Sequence, residues 1–371
     1  MPWRASMRLV TSAASEARAV SSGTGQRPGG CLARACQDVS VRALVAVVAG
    51  AGMGRLEAEV FGTQDPSVAA NTLEAIAMAA TGERVAAASW YRSSVAAVAG
   101  VVLEDERDVV IRAYQRSMSR QFLEAVVRVQ GQLADGSYPC PAPVGDVVVV
   151  NGALGRAEWS LSDPGPRRLD TAEMGVSARG FADLVSRAAG LDHRGLEHHP
   201  MQLPETDLYP TPHSPLFDFD ATAGGAEWID DIAWAARAAM TRGEAVISHG
   251  DWSARNVRLG PSEVQCVYDW ESLRYGSEST SVGMAAATWS ALGIPHEPLA
   301  PSATEIVSYI EQYEVARGRP FPEAERRNAR AAAVYTLAYT ARCEHALALR
   351  IGATRAAGRL RTDPGLRDLL A

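Results

Sequence analysis

A short polar motif between apolar segments limits the fold of this chain more than any other feature. Residues 249–256 read HGDWSARN, and residues 268–271 read YDWE. Short apolar runs rich in β-branched residues surround the two motifs and predict strands. These strands are predicted at residues 245–248, 257–259 and 264–268. Asp251 and Asn256 therefore lie on a loop between two strands, and Asp269 follows the third strand.

The three polar side chains have the chemistry that phosphoryl transfer requires. The carboxylate of Asp251 would orient or deprotonate an attacking hydroxyl, while Asn256 and Asp269 would hold the magnesium ion that bridges the phosphates of a nucleotide. Taken singly, Asp251 is also explained as a turn cap, and Asp269 as the end of a strand. The spacing of all three between strands favours the site over these structural roles.

The charge of the chain argues against polyanionic partners. The formal net charge is -7 and the isoelectric point is about 5.6, so the chain lacks the positive field by which proteins attract nucleic acids. No nucleic-acid partner is expected. The 36 basic residues are all arginine, because the sequence contains no lysine.

Cysteine usage and hydropathy indicate a protein of the reducing cytoplasm. The five cysteines are odd in number and scattered along the chain, so free buried thiols are predicted in place of disulfides or a zinc site. The longest uncharged apolar run, residues 43–53, is about half of the ~20 residues that cross a bilayer. Gly50 and Gly52 interrupt this run and Gly54 follows it, so no membrane segment is predicted.

The first 66 residues are predicted to form a disordered extension. Residues 1–52 are rich in serine, glycine and arginine and contain only two acids, Glu16 and Asp38. The same composition is typical of a targeting peptide. Met53 is an alternative start of the native chain, in which case residues 1–52 would be absent from it.

A small lobe of mixed structure is predicted from residue 67 to residue 162. Apolar positions recur at helical spacing in two segments, and β-branched or small apolar residues form five runs. Helices are predicted at residues 67–80 and 122–133, and strands at residues 85–89, 95–103, 109–114, 147–150 and 157–161. The first three strands follow one another with short turns, which predicts an antiparallel sheet.

A second, mostly helical lobe is predicted from residue 163 to residue 371. Its helices are expected at residues 176–189, 226–240, 305–316 and 324–351. Residues 191–225 have no clear period and contain proline, acids and histidines, which is typical of a long functional loop. Seven acids in or near it would suit a cationic acceptor, or form a solvated loop: Glu205, Asp207, Asp218, Asp220, Glu227, Asp230 and Asp231. Four histidines lack the fixed spacing of a metal site: His193, His198, His199 and His213.

The two motifs resemble those of the aminoglycoside phosphotransferase and choline kinase-like family of small-molecule kinases. HGDWSARN matches the family pattern His-Gly-Asp-x-x-x-x-Asn, and YDWE matches the pattern Asp-x-Asp/Glu. The resemblance covers about residues 80–350. It implies an α+β, protein-kinase-like bilobal fold with a small antiparallel-sheet lobe and a larger helical lobe. It also implies ATP or GTP with magnesium, and a small-molecule hydroxyl as acceptor.

The resemblance assigns roles residue by residue. Asp251 matches the catalytic aspartate, and Asn256 and Asp269 match the magnesium ligands. Glu271 would reach a second ion or its water shell. His249 matches a structural histidine that lies behind the loop and binds backbone atoms.

The small lobe departs from the family pattern at the nucleotide. Arg112 stands in the third strand where the family has lysine, and Glu124 is its expected ion-pair partner. An exposed strand arginine is the alternative. Ser94 lies where a phosphate-covering turn is expected, but that turn has no glycine. Residues 157–160 take the position of the hinge that contacts adenine.

The leading hypothesis is a phosphotransferase acting on an aminoglycoside or another cationic antibiotic. A metabolite kinase for choline, homoserine or a sugar would use the same chemistry. A nucleotide-binding pseudokinase is the alternative from another class, motivated by Arg112 and the missing glycines. A protein kinase is disfavoured, since no Ala-Pro-Glu pattern follows Asp269.

Overall fold

The chain divides into two compact units. The computed structural model describes residues 31–93, 96–198, 207–212, 217–292, 300–348 and 355–371, and side chains from residue 41 onward within them. The first unit contains the described residues up to Arg120 together with Ala142–Leu161. The second unit contains Gln121–Pro141 and the described residues from Ser162 onward.

The first unit is a five-stranded antiparallel sheet with three helices. Its strands are β1 (Val85–Ser93), β2 (Ala96–Leu103), β3 (Asp108–Tyr114), β4 (Pro143–Val150) and β5 (Ala153–Trp159). They lie in the order β1-β2-β3-β5-β4, and every neighbouring pair is antiparallel. The helices are α1 (Cys31–Ala51), α2 (Arg55–Phe61) and α3 (Pro66–Thr81). The predicted α+β architecture of this part is confirmed.

Alternation along the strands sets which face of the sheet the helices cover. In β3, Val109 and Ile111 are fully buried in one apolar cluster with Leu73 and Ile76 of α3. Successive strand residues point to opposite faces, so the residues between them lie on the other face. α3 itself begins where Asp65 accepts a hydrogen bond from the Ser67 amide, which satisfies one of the free N–H groups of a helix start.

The prediction of disorder is wrong for residues 31–66. α1 and α2 occupy most of this segment, and Leu44, Val48 and Val60 are buried in the core of the first unit. Leu44 and Val48 are four residues apart, so they share one helix face. The composition of residues 1–52 concealed this apolar face, because serine, glycine and arginine dominate its earlier part. Residues 1–30 lie outside the described residues.

The second unit is mostly helical. Its helices are α4 (Arg120–Asp135), α5 (Met174–Ala188), α6 (Glu227–Ala239), α7 (Glu278–Thr288), α8 (Ala303–Ala316), α9 (Glu323–Ala346), α10 (Ala356–Thr362) and α11 (Gly365–Asp368). Two small two-stranded antiparallel sheets accompany them, built from β6 (Ala245–His249), β7 (Val257–Leu259), β8 (Val264–Val267) and β9 (Leu273–Ser277). β6 pairs with β9, and β7 pairs with β8. α4 belongs to this unit apart from its first residue, whereas the sequence placed it in the first lobe.

Close backbone packing joins α7 to α9. A Cβ atom on Gly283 would lie 2.0 Å from the Ala329 carbonyl oxygen, far inside van der Waals contact. We expect Gly283→Ala to lower the free energy of unfolding by about 1–3 kcal/mol, the usual cost of overpacking. Gly131→Ala, inside α4 with no described atom within 4 Å of the added Cβ, should raise it by about 0.5–1 kcal/mol. Urea unfolding measures both; equal effects of the two substitutions would contradict the packing argument.

The described residues include three of the five cysteines with their side chains, and the helices that can be compared with a membrane-crossing segment. Cys140, Cys266 and Cys343 are buried thiols that form no disulfide with a described cysteine, which confirms the prediction for these three residues. None of the described helices combines the length and apolar character that a membrane-crossing segment requires.

Candidate active site

Two backbone hydrogen bonds hold the HGDWSARN loop alongside the YDWE segment. The Gly250 amide donates to the Ser272 carbonyl at 2.7 Å, and the Tyr268 amide donates to the Asn256 carbonyl at 2.9 Å. The ladder between β6 and β9, which places His249 opposite Leu273, continues directly into the first of these bonds. The structure therefore brings Asp251, Asn256 and the segment around Asp269 into one region of the second unit.

His249 connects the two segments from behind and is buried at 1% exposure. Its Nδ1 lies 3.2 Å from the Asp251 amide nitrogen, and its Nε2 lies 2.9 Å from the Tyr268 carbonyl oxygen. An amide can only donate and a carbonyl can only accept, so Nδ1 accepts and the proton resides on Nε2. Both ring nitrogens are therefore hydrogen-bonded to backbone atoms, as expected for the structural role predicted for His249.

Asn256 is hydrogen-bonded directly to Asp251. Its Nδ2 donates to the Asp251 carbonyl oxygen at 3.0 Å and to the Asp251 Oδ2 at 2.7 Å. Because the backbone carbonyl accepts only, the amide nitrogen must face Asp251. The Asn256 Oδ1 is then on the other side of the amide, as a metal ligand needs. Asn256 is 5% exposed, so this orientation is fixed by its surroundings.

Asp269 has a backbone conformation that few residues adopt. Its φ is 63° and its ψ is 52°, in the left-handed region, where aspartate and asparagine are tolerated better than most residues. The Ser272 amide donates to the Asp269 carbonyl at 2.9 Å, and the Ser272 hydroxyl donates to Asp269 Oδ2 at 3.2 Å. The turn thus sets the direction of the carboxylate at some conformational cost, which is a common feature of functional sites.

Trp252 anchors the loop in the helical core. Its ring is 1% exposed and lies 5.1 Å from the Phe181 ring, centroid to centroid. Its Nε1 donates to the Ser177 hydroxyl at 3.0 Å, and the Thr288 hydroxyl donates to its carbonyl at 3.1 Å. α5 and α7 therefore both hold the residue next to Asp251.

Arg258 is a site-supporting residue that the sequence did not reveal. Its guanidinium is paired with both carboxylate oxygens of Asp163, at 2.6 Å and 2.9 Å. Its Nη1 also donates to the Arg255 carbonyl at 2.9 Å, near the end of the HGDWSARN loop. A buried arginine two residues after Asn256 was the available signal, but its partner lies 95 residues earlier in the chain.

Arg274 introduces positive charge beside the YDWE segment. Its Nη1 donates to the Glu271 carbonyl at 2.7 Å, and its guanidinium lies over the Phe122 ring at 5.2 Å. Burial lowers the pKa of Arg274 from its usual value, while the carboxylates of Glu197, Asp269 and Glu271 act in the opposite direction. Glu271 is half-buried and interacts electrostatically with Arg274. Its predicted contact with a second ion stays a prediction.

The oxygen donors fit a magnesium ion. Asn256 offers an amide oxygen and Asp269 a carboxylate, and the backbone bond between Asn256 and Tyr268 holds the two stretches together. Magnesium prefers hard oxygen ligands and usually takes one or two carboxylates, with phosphates and water completing its octahedron. Within the described ranges, no group of three or more histidine, cysteine, aspartate or glutamate residues forms a metal cluster.

The first unit carries a buried charge cluster around Arg112. Arg112 donates from Nε and Nη2 to the Glu158 Oε1, at 3.2 Å and 3.1 Å. Arg156 pairs with the Glu158 Oε2 at 3.1 Å and donates to the Tyr114 hydroxyl at 2.8 Å. Glu158 is 2% exposed, so its carboxylate is a fixed acceptor for both guanidinium groups. The sequence did not identify Glu158 as a partner of Arg112.

The family model of the "Phosphotransferase enzyme family" matches residues 99–332 of this chain. The chain belongs to this family. The matched residues include β3, which carries Arg112, and both the HGDWSARN and the YDWE motifs. The predicted resemblance is confirmed.

One solved structure shows the same fold at low sequence identity, and two others are similar to this chain with TM-scores below 0.5. Amicoumacin kinase hAmiN, in complex with AMP-PNP and Ca2+, is 10% identical, with a TM-score of 0.51 over 76% of this chain and 87% of that protein. A macrolide 2'-phosphotransferase type I is 14% identical, with a TM-score of 0.49 over 79% and 96%. A choline/ethanolamine kinase family protein from Mesorhizobium loti is 12% identical, with a TM-score of 0.45 over 75% and 89%. No curated protein sequence matches. The predicted α+β, protein-kinase-like fold is confirmed.

Two of the predicted nucleotide residues of this phosphotransferase stay predictions. Ser94 lies outside the described residues. Glu124 lies in the first turns of α4 in the second unit and is exposed, and its ion pair with Arg112 stays a prediction. Arg112 itself lies on β3 as predicted.

Several polar residues of the predicted acceptor segment have local structural partners. Asp230 accepts from the Tyr209 hydroxyl at 2.9 Å and lies 3.5 Å from the Arg342 Nε. Asp218 accepts from the Ala221 amide at 2.9 Å. His193 stacks on Tyr275 at 3.8 Å, centroid to centroid. Three other residues of this segment, Glu205, His199 and His213, lie outside the described residues. Asp207, Asp220, Glu227 and Asp231 are exposed, and their predicted contact with an acceptor stays a prediction.

Proposed function

We propose that this chain is a cytoplasmic enzyme that transfers the γ-phosphoryl group of ATP or GTP to a hydroxyl of a small molecule. The observation that supports this most is the 2.7 Å hydrogen bond between Asn256 Nδ2 and Asp251 Oδ2. It holds the proposed base and a proposed metal ligand in one fixed pair. Membership of a phosphotransferase family supports the same reaction class.

In the proposed mechanism, Asp251 positions the acceptor. Its Oδ2 accepts from Asn256, so Oδ1 is the oxygen that would take the proton of the acceptor hydroxyl or orient it. In a loose, largely dissociative transfer the nucleophile needs little activation, and positioning is the main contribution of this carboxylate. Asn256 and Asp269 would hold magnesium, which neutralises charge on the phosphates when bound. Glu271 would contact a second ion or its water shell.

The proposed acceptor is an aminoglycoside or another cationic antibiotic. The exposed carboxylates of Asp207, Asp220 and Asp231 would attract such a cation, and the net charge of -7 acts in the same sense. Choline, homoserine or a sugar would be phosphorylated by the same residues with a different pocket. Acids that have local structural partners, such as Asp230, do not indicate which of these acceptors the site binds.

A panel of acceptors tests the proposal. The purified chain is incubated with ATP or GTP, magnesium and each candidate, and phosphate adducts are detected by mass spectrometry. We expect an adduct with a hydroxyl-bearing acceptor and none with the matched deoxy compound. Nucleotide binding with no transfer to any acceptor and no nucleotide hydrolysis would instead support a pseudokinase.

A further inference from the structure

The sheet of the first unit has a polar face opposite the helices. We define the polar face by eight residues of four strands: Trp90, Arg92, Val98, Gly100, Val110, Arg112, Arg156 and Glu158. Their sequence neighbours Tyr91, Ala99 and Ile111 belong to the apolar core that α3 covers, and alternation therefore directs the polar face away from it.

Three arginines form one row across this face. Arg92 is opposite Val98, Val98 is opposite Arg112, and Arg112 is opposite Arg156. Arg112 and Arg156 share Glu158. Arg92 makes no ion pair with a carboxylate among the described residues and is exposed. Of the three cations, Arg92 is thus the one that no carboxylate of the described residues pairs with.

The position of Arg92 is set by Trp90 and Gly100. A Cβ atom on Gly100 would lie 2.2 Å from the Trp90 Nε1, so the indole lies directly on the backbone of β2 and only glycine permits it. The Arg92 guanidinium carbon lies 5.6 Å from the centroid of the Trp90 ring, within the range of a cation–π contact. This contact restricts the guanidinium while leaving it accessible from solvent.

Strand spacing places Arg92 within reach of a ligand that also contacts Arg112. The two residues are two strands apart, which corresponds to roughly 10 Å between their backbones. A polyphosphate held by Arg112 would therefore be within reach of the long Arg92 side chain. Residues 93–96, which connect β1 to β2, contain no glycine, and the chain has no lysine. Both usual sources of phosphate contacts in a small kinase lobe are missing from the sequence.

We propose that Arg92 binds the phosphates of the nucleotide together with Arg112. The inference rests on the proposed function and adds a binding residue to it. Arginine suits this role because its planar group donates two parallel hydrogen bonds to phosphate oxygens. Arg92 in effect supplies from a side chain what a glycine-rich turn supplies from backbone amides.

Binding of Mg·AMP-PNP and of adenosine, measured by isothermal titration calorimetry, tests the assignment. We expect Arg92→Gln to weaken Mg·AMP-PNP binding about tenfold, as loss of one charge-assisted contact does, and to leave adenosine binding unchanged. The difference should shrink at high salt, because exposed charges are screened. Arg55→Gln, which removes an exposed arginine from α2 that pairs with Glu59, is the matched control and should bind both ligands like the wild type.

The outcomes separate this inference from the proposed function. Wild-type affinity of Arg92→Gln, with lost affinity in Arg112→Gln, overturns the role of Arg92 and leaves the proposed function standing. Equal weakening of Mg·AMP-PNP and adenosine also overturns it, because the loss then does not depend on the phosphates, which adenosine lacks. A wild-type protein that binds neither ligand overturns both. The unfolding midpoint of each variant is measured alongside, and Gly100→Ala, which must displace Trp90, should reproduce the loss seen in Arg92→Gln.

Discussion

Replacement of Asp251 by asparagine is expected to lower phosphotransferase turnover by about 10²–10⁴-fold, the usual contribution of a positioned acid or base. An asparagine side chain keeps an oxygen that can accept the hydrogen bond from Asn256 Nδ2, now 2.7 Å from Asp251 Oδ2. The loop should therefore keep its geometry while losing the charge that attracts the hydroxyl proton. Steady-state kinetics with saturating nucleotide measure the effect as a fall in kcat.

Nucleotide binding provides the control for Asp251. The dissociation constant of Mg·AMP-PNP should stay within about twofold of the wild-type value, because Asp251 is proposed to contact the acceptor and not the phosphates. Asp251→Ala should lose as much turnover and some stability in addition, since the Asn256 amide then loses one acceptor. A kcat near the wild-type value in Asp251→Asn would remove this residue from the mechanism.

Local patterns in the sequence predicted the elements whose period or turn chemistry is complete within a few residues. α3, α5 and α6 have apolar faces at helical spacing, and β2 and β3 are rich in β-branched and small residues with a charged turn between them. β9 and α7 were missed. β9 contains Arg274, Tyr275 and Gly276, which do not alternate in polarity, and it is a strand because β6 lies beside it.

α7 has a different reason for being missed. Nearly all of its residues are buried, including Ser277 at its cap and Ser279, Thr280 and Ser281 in its first turns. Asn328 of α9 donates to the hydroxyls of Ser279 and Thr280, so buried polar groups take the place of an apolar stripe. A helix of this kind has no periodic apolar face for sequence analysis to detect.

The site could be predicted as a set of roles but not as a set of contacts. The spacing of Asp251, Asn256 and Asp269 is local and indicates the reaction. The residues that hold them come from far along the chain, as Asp163 does for Arg258 and Glu158 for Arg112. Spacing carries no information on such pairs, because only the fold brings them together.

Replacement of Asp269 is expected to lower activity as strongly as replacement of Asp251, because Asp269 is proposed to bind the magnesium ion. Asp269→Asn should lower activity at limiting magnesium by at least about 100-fold, since a metal contact supplies several kcal/mol to the transition state. Part of the loss should be recovered when the magnesium concentration rises, because the amide oxygen is a weaker ligand than the carboxylate. Activity as a function of magnesium concentration is the measurement, and a parallel loss at every concentration would contradict a ligand role.

The left-handed backbone of Asp269 makes a second substitution informative. Glycine adopts a φ of 63° without steric cost. The free energy of unfolding of Asp269→Gly should therefore lie within about 1 kcal/mol of the wild-type value, while its activity should fall as far as that of Asp269→Asn. Asp269→Ala should be about 1 kcal/mol less stable than Asp269→Gly, because its Cβ is strained in this region. A glycine variant that is stable but inactive would show that the loss of activity comes from the missing carboxylate and not from a disturbed turn. If Asp269→Gly kept wild-type activity, the carboxylate would have no part in metal binding, and Asn256 alone could not hold the ion in the proposed way.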